Sequence, residues 1–299
     1  MPEYPILAGW IAGTLEISVT FPFEYVKTQF QLQQEASALF AGADKYRSSW
    51  HCTVETVKRY GVSGLYTGGQ SWALFAGPRS AVRFWTFDTL TKIAGENNLP
   101  SQYGKATVDT VNGFAAGTME AALCQTPNQV IGIKMIQDRS PRGPKRYSGI
   151  THCMATMWRA DGLSGFFQGL GPAVLKGAAT NAIRFVGYGH IKRAIQGDDT
   201  SKPLSVWQSM LAGGTAGAIS AVATQPIDTI KANMMGLEAK RFHSSFACAA
   251  DLVRAGGPLV LFNGLGPRVT RVFIEVALQF SLYELIGRQL DQMLSKKLE

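Results

Sequence analysis

A proline-led charged motif recurs three times along this chain and limits every fold it can adopt. Pro22-Phe23-Glu24-Tyr25-Val26-Lys27 is matched by Pro226-Ile227-Asp228-Thr229-Ile230-Lys231. Between them stands a degraded copy, Pro127-Asn128-Gln129-Val130-Ile131-Gly132. The copies lie about one hundred residues apart, a period that reads as one ancestral unit written three times. Other landmarks keep the same phase. Gly68, Gly169 and Gly264 each stand fifteen residues before Arg83, Arg184 and Gln279. Cys52, Cys153 and Cys248 each stand nine before a glycine. The repeats therefore run 1–100, 101–202 and 203–299.

Charged residues make up 17% of the chain, below the roughly 25% usual for soluble domains. Apolar stretches alternate with basic linkers, which is why the mean hydropathy is only +0.02. The net charge of +8 calls for an anionic partner: nucleic acid, anionic lipid or an anionic ligand. A nucleic-acid binder needs an exposed basic face with stacking aromatics, whereas here the basic residues are interleaved with apolar helix positions. None of the four cysteines forms a CxxC pair, so neither a metal site nor a disulfide framework is indicated. His51-Cys52 and His152-Cys153 read as copies of one helical position rather than as catalytic pairs. No nucleophile with its base, metal cluster or phosphate loop emerges, which argues against an enzyme and implies no cofactor. The N-terminus carries neither a basic n-region nor an Arg/Ser-rich presequence, so targeting information is expected to be internal.

Apolar segments fall at roughly 6–30, 71–92, 108–136, 171–193, 206–234 and 268–290, each reaching the about 20 residues that cross a bilayer core. The odd segments carry Gly9/Gly13, Gly113/Gly117 and Gly213/Gly217, spacings that let helix backbones approach closely in lipid. Pro22, Pro127 and Pro226 sit inside these helices, where each removes a hydrogen bond and bends the helix. Basic residues gather in the loops after odd segments, which places those loops on one side and both termini on the other.

The even segments hold cations on shared faces. Arg79 and Arg83 are four apart, Lys176 and Arg184 eight apart, and Arg268 and Arg271 three apart. Six cations at membrane depth are costly unless they face a wet cavity and an anionic partner. The planar fork of arginine binds carboxylates bidentately, so a ligand with several carboxylates suits the set. Glu275, four residues from Arg271, is a competing partner for it, and Glu16 and Glu120 are candidates to absorb others.

With the tripled P-x-[DE]-x-x-[KR] motif and six spans, the whole chain resembles the mitochondrial carrier family. The stretches Ile6–Gln29, Gly77–Phe84, Ala182–Phe185 and Gly266–Arg271 are most similar to its tricarboxylate (citrate) carriers. The resemblance implies an all-α membrane protein: six transmembrane helices in a pseudo-threefold barrel of tandem repeats, with short matrix helices. It implies a monomeric, multi-pass antiporter of the mitochondrial inner membrane with both termini in the intermembrane space. The cargo is a tricarboxylate (citrate, isocitrate or cis-aconitate), exchanged for malate or another carboxylate. A dicarboxylate or oxo-acid carrier is the alternative within the family. Arg79, Arg83, Lys176, Asn181, Arg184, Arg268 and Arg271 are the expected substrate contacts, and cardiolipin is expected at the glycines Gly68, Gly169 and Gly264.

The family's matrix gate maps onto Glu24, Lys27, Gln129, Asp228 and Lys231, with Gln29 and Lys134 two residues past the basic positions. Gly132 departs from the pattern. If each base meets the acid of the next repeat, Lys231 pairs with Glu24, Lys27 faces Gln129 and Gly132 faces Asp228. The opposite, cytoplasmic gate retains Asp88, Lys192 and Glu284, with Asp88–Lys192 as the expected pair.

Overall fold

The computed structural model describes residues 17–33, 46–139, 145–196 and 205–278, and all regular structure among them is helical. Gly9, Gly13, Glu16, Gln279 and Glu284 lie outside the described residues. Helix α1 spans 17–33 and the short α2 spans Ser49–Tyr60. The long α3 (Gly69–Glu96) follows, and the five-residue α4 (Leu99–Tyr103) leads into the second repeat. There α5 (Lys105–Glu120) continues through a widened π-helical turn at Ala121–Gln125 into α6 (Thr126–Asp138). The short α7 (Ile150–Asp161) and long α8 (Leu170–Gln196) complete that repeat. The third has α9 (Val206–Met235), α10 (Ser245–Gly256) and α11 (265–278).

The threefold plan is visible in the short helices. The hydroxyls of Ser48 and Ser244 cap α2 and α10 by accepting from the N–H of His51 and of Ala247, both at 3.1 Å. His51 and His152 are equivalent supports: each accepts, through Nδ1, the backbone N–H four residues earlier. Cys52, Cys153 and Cys248 are fully buried on the inner face of their helices. Burial pushes the Cys153 thiol up to about 12, which makes it an inert packing group.

Gly68, Gly169 and Gly264 begin the even helices with left-handed backbone, at φ 86°, 72° and 80°. Each start presses on the next repeat around the ring. A Cβ on Gly68 would lie 2.8 Å from the Gly132 carbonyl oxygen, and one on Gly264 would lie 2.8 Å from that of Lys27. At Gly169 the obstruction is Met235 Cγ, 2.9 Å away. Glycine is required at these positions by both conformation and contact. Beneath them Leu32, Ile131, Met157 and Met235, from all three repeats, share one apolar cluster.

The small-residue spacings act less uniformly than expected. Gly217 lets α11 approach: a Cβ there would sit 2.6 Å from Val272 Cγ1. Gly113 and Gly117 instead line an open cavity. The three prolines also differ. Pro226 lies inside α9, whereas Pro127 follows the π turn, in which Thr126 donates its hydroxyl to the Ala121 carbonyl at 2.8 Å. Among the described residues no single helix is both long and apolar enough to cross a membrane. Only the bent pair Ser245–Gly256 with Pro258–Leu278, at 114°, reaches that criterion. Length is not what is missing, since α3, α8 and α9 have 28, 27 and 30 residues. Continuous apolarity is missing, because each of these helices turns polar and charged side chains toward the cavity.

Candidate functional site

All seven side chains expected to touch substrate open onto one cavity of about 820 Å³. Arg79 and Arg83 come from α3, Lys176, Asn181 and Arg184 from α8, and Arg268 and Arg271 from α11. Glu24, Lys27, Gln129 and Lys231 lie at the same cavity, so the motif residues form its floor.

The floor is wired in the sense opposite to the expected one. Lys27 Nζ meets Asp228 Oδ2 at 3.2 Å, so the base of the first repeat pairs with the acid of the third. Lys231 Nζ donates to Gln129 Oε1 at 3.2 Å, joining the third repeat to the second. Each base therefore serves the preceding repeat, and Glu24, which would look to position 132, finds Gly132 there. Arg271 of α11 supplies the missing cation and forms a short ion pair with Glu24. Lys27 also folds back on Glu24 at 2.7 Å.

Asp228, with no exposed surface, collects cations from every side. Lys176 meets it at 2.7 Å, Lys231 at 3.1 Å and Arg268 at 3.8 Å, while Gln31 donates to it at 3.1 Å. So dense a set offsets the several kcal/mol it costs to bury a carboxylate. Arg268 is further committed to Gln225 Oε1 and Thr224 Oγ1, at 2.9 and 2.7 Å. It is the most buried of the expected substrate contacts, at 7% exposed, and braces the floor.

Glu120, from α5, bridges Arg79 at 2.9 Å and Arg83 at 3.8 Å. Glu275 takes Arg271 at 2.6 Å, the four-residue pairing the spacing allowed. Arg184 and Asn181 make no ion pair or hydrogen bond among the described residues. Among the described residues Arg184 is thus the cavity arginine without an acid partner. Gln29 does not brace the ion pairs; its amide donates to the Ile136 carbonyl at 2.7 Å. Lys134 is buried within α6 and makes no ion pair among the described residues. Neither residue lines the cavity.

At the far end the expected Asp88–Lys192 pair is absent. Asp88 instead bonds Lys92 on its own helix at 2.7 Å, with both side chains exposed. The floor is tied, whereas among the described residues no ion pair joins the helices at that end. Sequence reasoning missed Trp72, Gln125, Thr126 and Ser220, polar or amphipathic wall residues that carry no charge or motif to mark them.

Comparison with known proteins gives this geometry a context. The model of the mitochondrial carrier protein family matches residues 4–98, 104–199 and 202–294. Tricarboxylate transport protein B, mitochondrial, of Danio rerio is 36% identical over 98% of this chain and 89% of its own length. The tricarboxylate transport protein, mitochondrial, of Mus musculus is 36% identical over 98% and 91%. The tricarboxylate transport protein of Saccharomyces cerevisiae is 29% identical over 95% and 94%. Three matched repeats, a ring of motif contacts and near-full-length relatives establish that this chain belongs to the mitochondrial carrier family.

Proposed function

We propose that this protein is a tricarboxylate antiporter of the mitochondrial inner membrane. The observation that carries the reading is the charge of the cavity. Among the described residues eight basic side chains line it, Lys27, Arg79, Arg83, Lys176, Arg184, Lys231, Arg268 and Arg271, against the acids Glu24, Glu120 and Glu275. Adding the buried Asp228 still leaves a surplus of four positive charges, which suits a multivalent anion better than a monovalent one. The relatives' names point to the same cargo class.

In this reading six helices, two from each of the units 1–100, 101–202 and 203–299, form a barrel around the cavity. The short helices lie at the matrix face, and both termini face the intermembrane space. Arg79, Arg83 and Arg184 form an outer tier that draws in the anion. Lys176 and Arg271 bind it near the midplane, and Asn181 adds an amide. The tied floor closes the matrix side while the Asp88 end admits substrate, and release follows when the floor opens and the other end closes through Asp88, Lys192 and Glu284. Alternating access about a midplane site is the general scheme for such repeats.

A second cavity, of about 500 Å³, lies where the start of α3 meets the start of α7, lined by Gly68, Gly69, Arg139, Lys145 and Gly149. Backbone N–H groups at two helix starts with two cations suit a lipid phosphate, so cardiolipin is the assigned partner. The working unit is a monomer. Uptake of labelled citrate, isocitrate, cis-aconitate, malate and oxoglutarate into proteoliposomes preloaded with each tests the reading. Exchange of a tricarboxylate is expected. Exchange of dicarboxylates or oxo acids alone overturns it in favour of another organic-anion carrier.

A further inference from the structure

The floor has three threefold-equivalent stations, and only two of them carry charge. The motif positions are Glu24, Gln129 and Asp228. The residues seven past the left-handed glycine of the preceding repeat are, in the same order, Arg271, Phe75 and Lys176. Arg271 bonds Glu24 and Lys176 bonds Asp228. Phe75 instead packs into the apolar cluster beside Val130 and Ile131. The repeat whose motif has lost its acid also lacks the facing cation.

Gln129 therefore has a distinct role. A lysine ammonium has donors only, so its 3.2 Å contact with Lys231 fixes the amide oxygen toward Nζ. That orientation leaves the two Nε2–H donors with no partner among the described residues, on a side chain that lines the cavity. We propose that Gln129 is a substrate contact that receives the third carboxylate of the ligand while Lys176 and Arg271 hold the other two. This assignment rests on the tricarboxylate reading above.

Two points favour the floor over the outer tier for all three groups. Arg184 lies eight residues beyond Lys176, about 12 Å farther along α8, so it belongs to the outer tier. A glutamate at 129 would pair with Lys231 through one oxygen and turn a second acceptor, instead of the amide donors, toward the cavity, which would repel the ligand. The neutral amide accepts a carboxylate there, and a site built to donate discriminates against a ligand lacking the matching acceptor. Gln129 thereby separates three-carboxylate from two-carboxylate substrates.

The test is the substrate dependence of exchange in proteoliposomes for wild type, Gln129→Met and Gln129→Glu. In both variants KM for citrate and for propane-1,2,3-tricarboxylate is expected to rise about tenfold, a loss of about 1.4 kcal/mol of binding. KM for malate and succinate is expected to change less than about twofold. A change in kcat common to both substrate classes, with KM values unmoved, assigns Gln129 to gating and overturns the proposal. If transport is lost, thermal stabilisation by each ligand in detergent replaces KM, with the same tenfold contrast expected and equal midpoints overturning it. A wild-type protein that exchanges dicarboxylates only shows that the tricarboxylate reading itself has failed, and the assignment falls with it.

Discussion

Lys27 of the first repeat meets Asp228 of the third at 3.2 Å, so an ion pair joins the first and last repeats across the cavity floor. Asp228 is also the shared counter-ion of Lys176, Lys231 and Arg268. Asp228→Asn should strand these cations in a dry setting and cost about 3–5 kcal/mol. Glu24→Gln, at the less buried of the two floor acids, should cost less. Thermal unfolding in detergent ranks the two, and the reverse order contradicts the wiring described here.

Gly132→Lys should give Glu24 the gate partner it lacks. A Cβ at this position sits 3.2 Å from Ser71 Oγ and 3.4 Å from Trp72 Nε1, so the neighbours must yield by a few tenths of an ångström. A tighter floor should raise the unfolding midpoint and slow exchange several-fold. Unchanged rates would show that this seam does not limit opening.

Arg184 and Arg79 should respond differently to truncation. Arg184→Ala removes a cation with no acid partner among the described residues, so uptake should fall with little change in unfolding midpoint. Arg79→Ala abandons Glu120, which is only 8% exposed, and should lose stability as well as uptake. An equal stability loss in both variants counts against Arg184 as a free anion receptor.

Gly264→Ala should be among the most damaging alanine substitutions. It forces left-handed backbone on an L-residue, roughly 1–2 kcal/mol, and overpacks the Lys27 carbonyl for roughly 1–3 kcal/mol more. Gly266→Ala, with nothing within 4 Å, is the matched control. Similar unfolding midpoints for the pair would refute the ring contact.

Burial penalises the thiolate and pushes the Cys153 thiol from its ordinary value of 9.0 up to about 12. The folded state thus holds this proton more tightly. Its stability contribution is complete below about pH 9 and drains away as pH rises toward about 12. Cys153→Ala should flatten the alkaline limb of stability against pH; an unaltered limb would place its cause elsewhere.

The sequence carried the periodicity in full, because glycine, cysteine and proline mark backbone conformation and burial directly. Gly68, Gly169 and Gly264 do start the even helices, and Arg79 through Arg271 do converge on one cavity. The sense of the ring is not legible in the sequence: spacing along a chain does not say whether a repeat reaches forward or back, and the wiring implied by the resemblance points Lys27 to Gln129, whereas it meets Asp228. Partners across helices were equally hidden. Glu275 could be paired with Arg271 by counting four residues, and Glu120 stood as a candidate acid, but nothing local ties it to Arg79 in particular or Lys176 to Asp228. Asp88 chose Lys92 because a neighbour one turn away needs no inter-repeat closure.

The widened turn at Ala121–Gln125 has a consequence for how one helix serves two masters. An α-helix advances about 100° per residue, so a residue that faces the cavity fixes which others along its length can do so. One added residue resets that phase. Upstream of the turn, Glu120 is aimed at the outer arginines; downstream, Gln129 is aimed at the floor. Rotational register, rather than side-chain choice alone, lets the middle repeat tune the entrance and the floor of the same cavity independently.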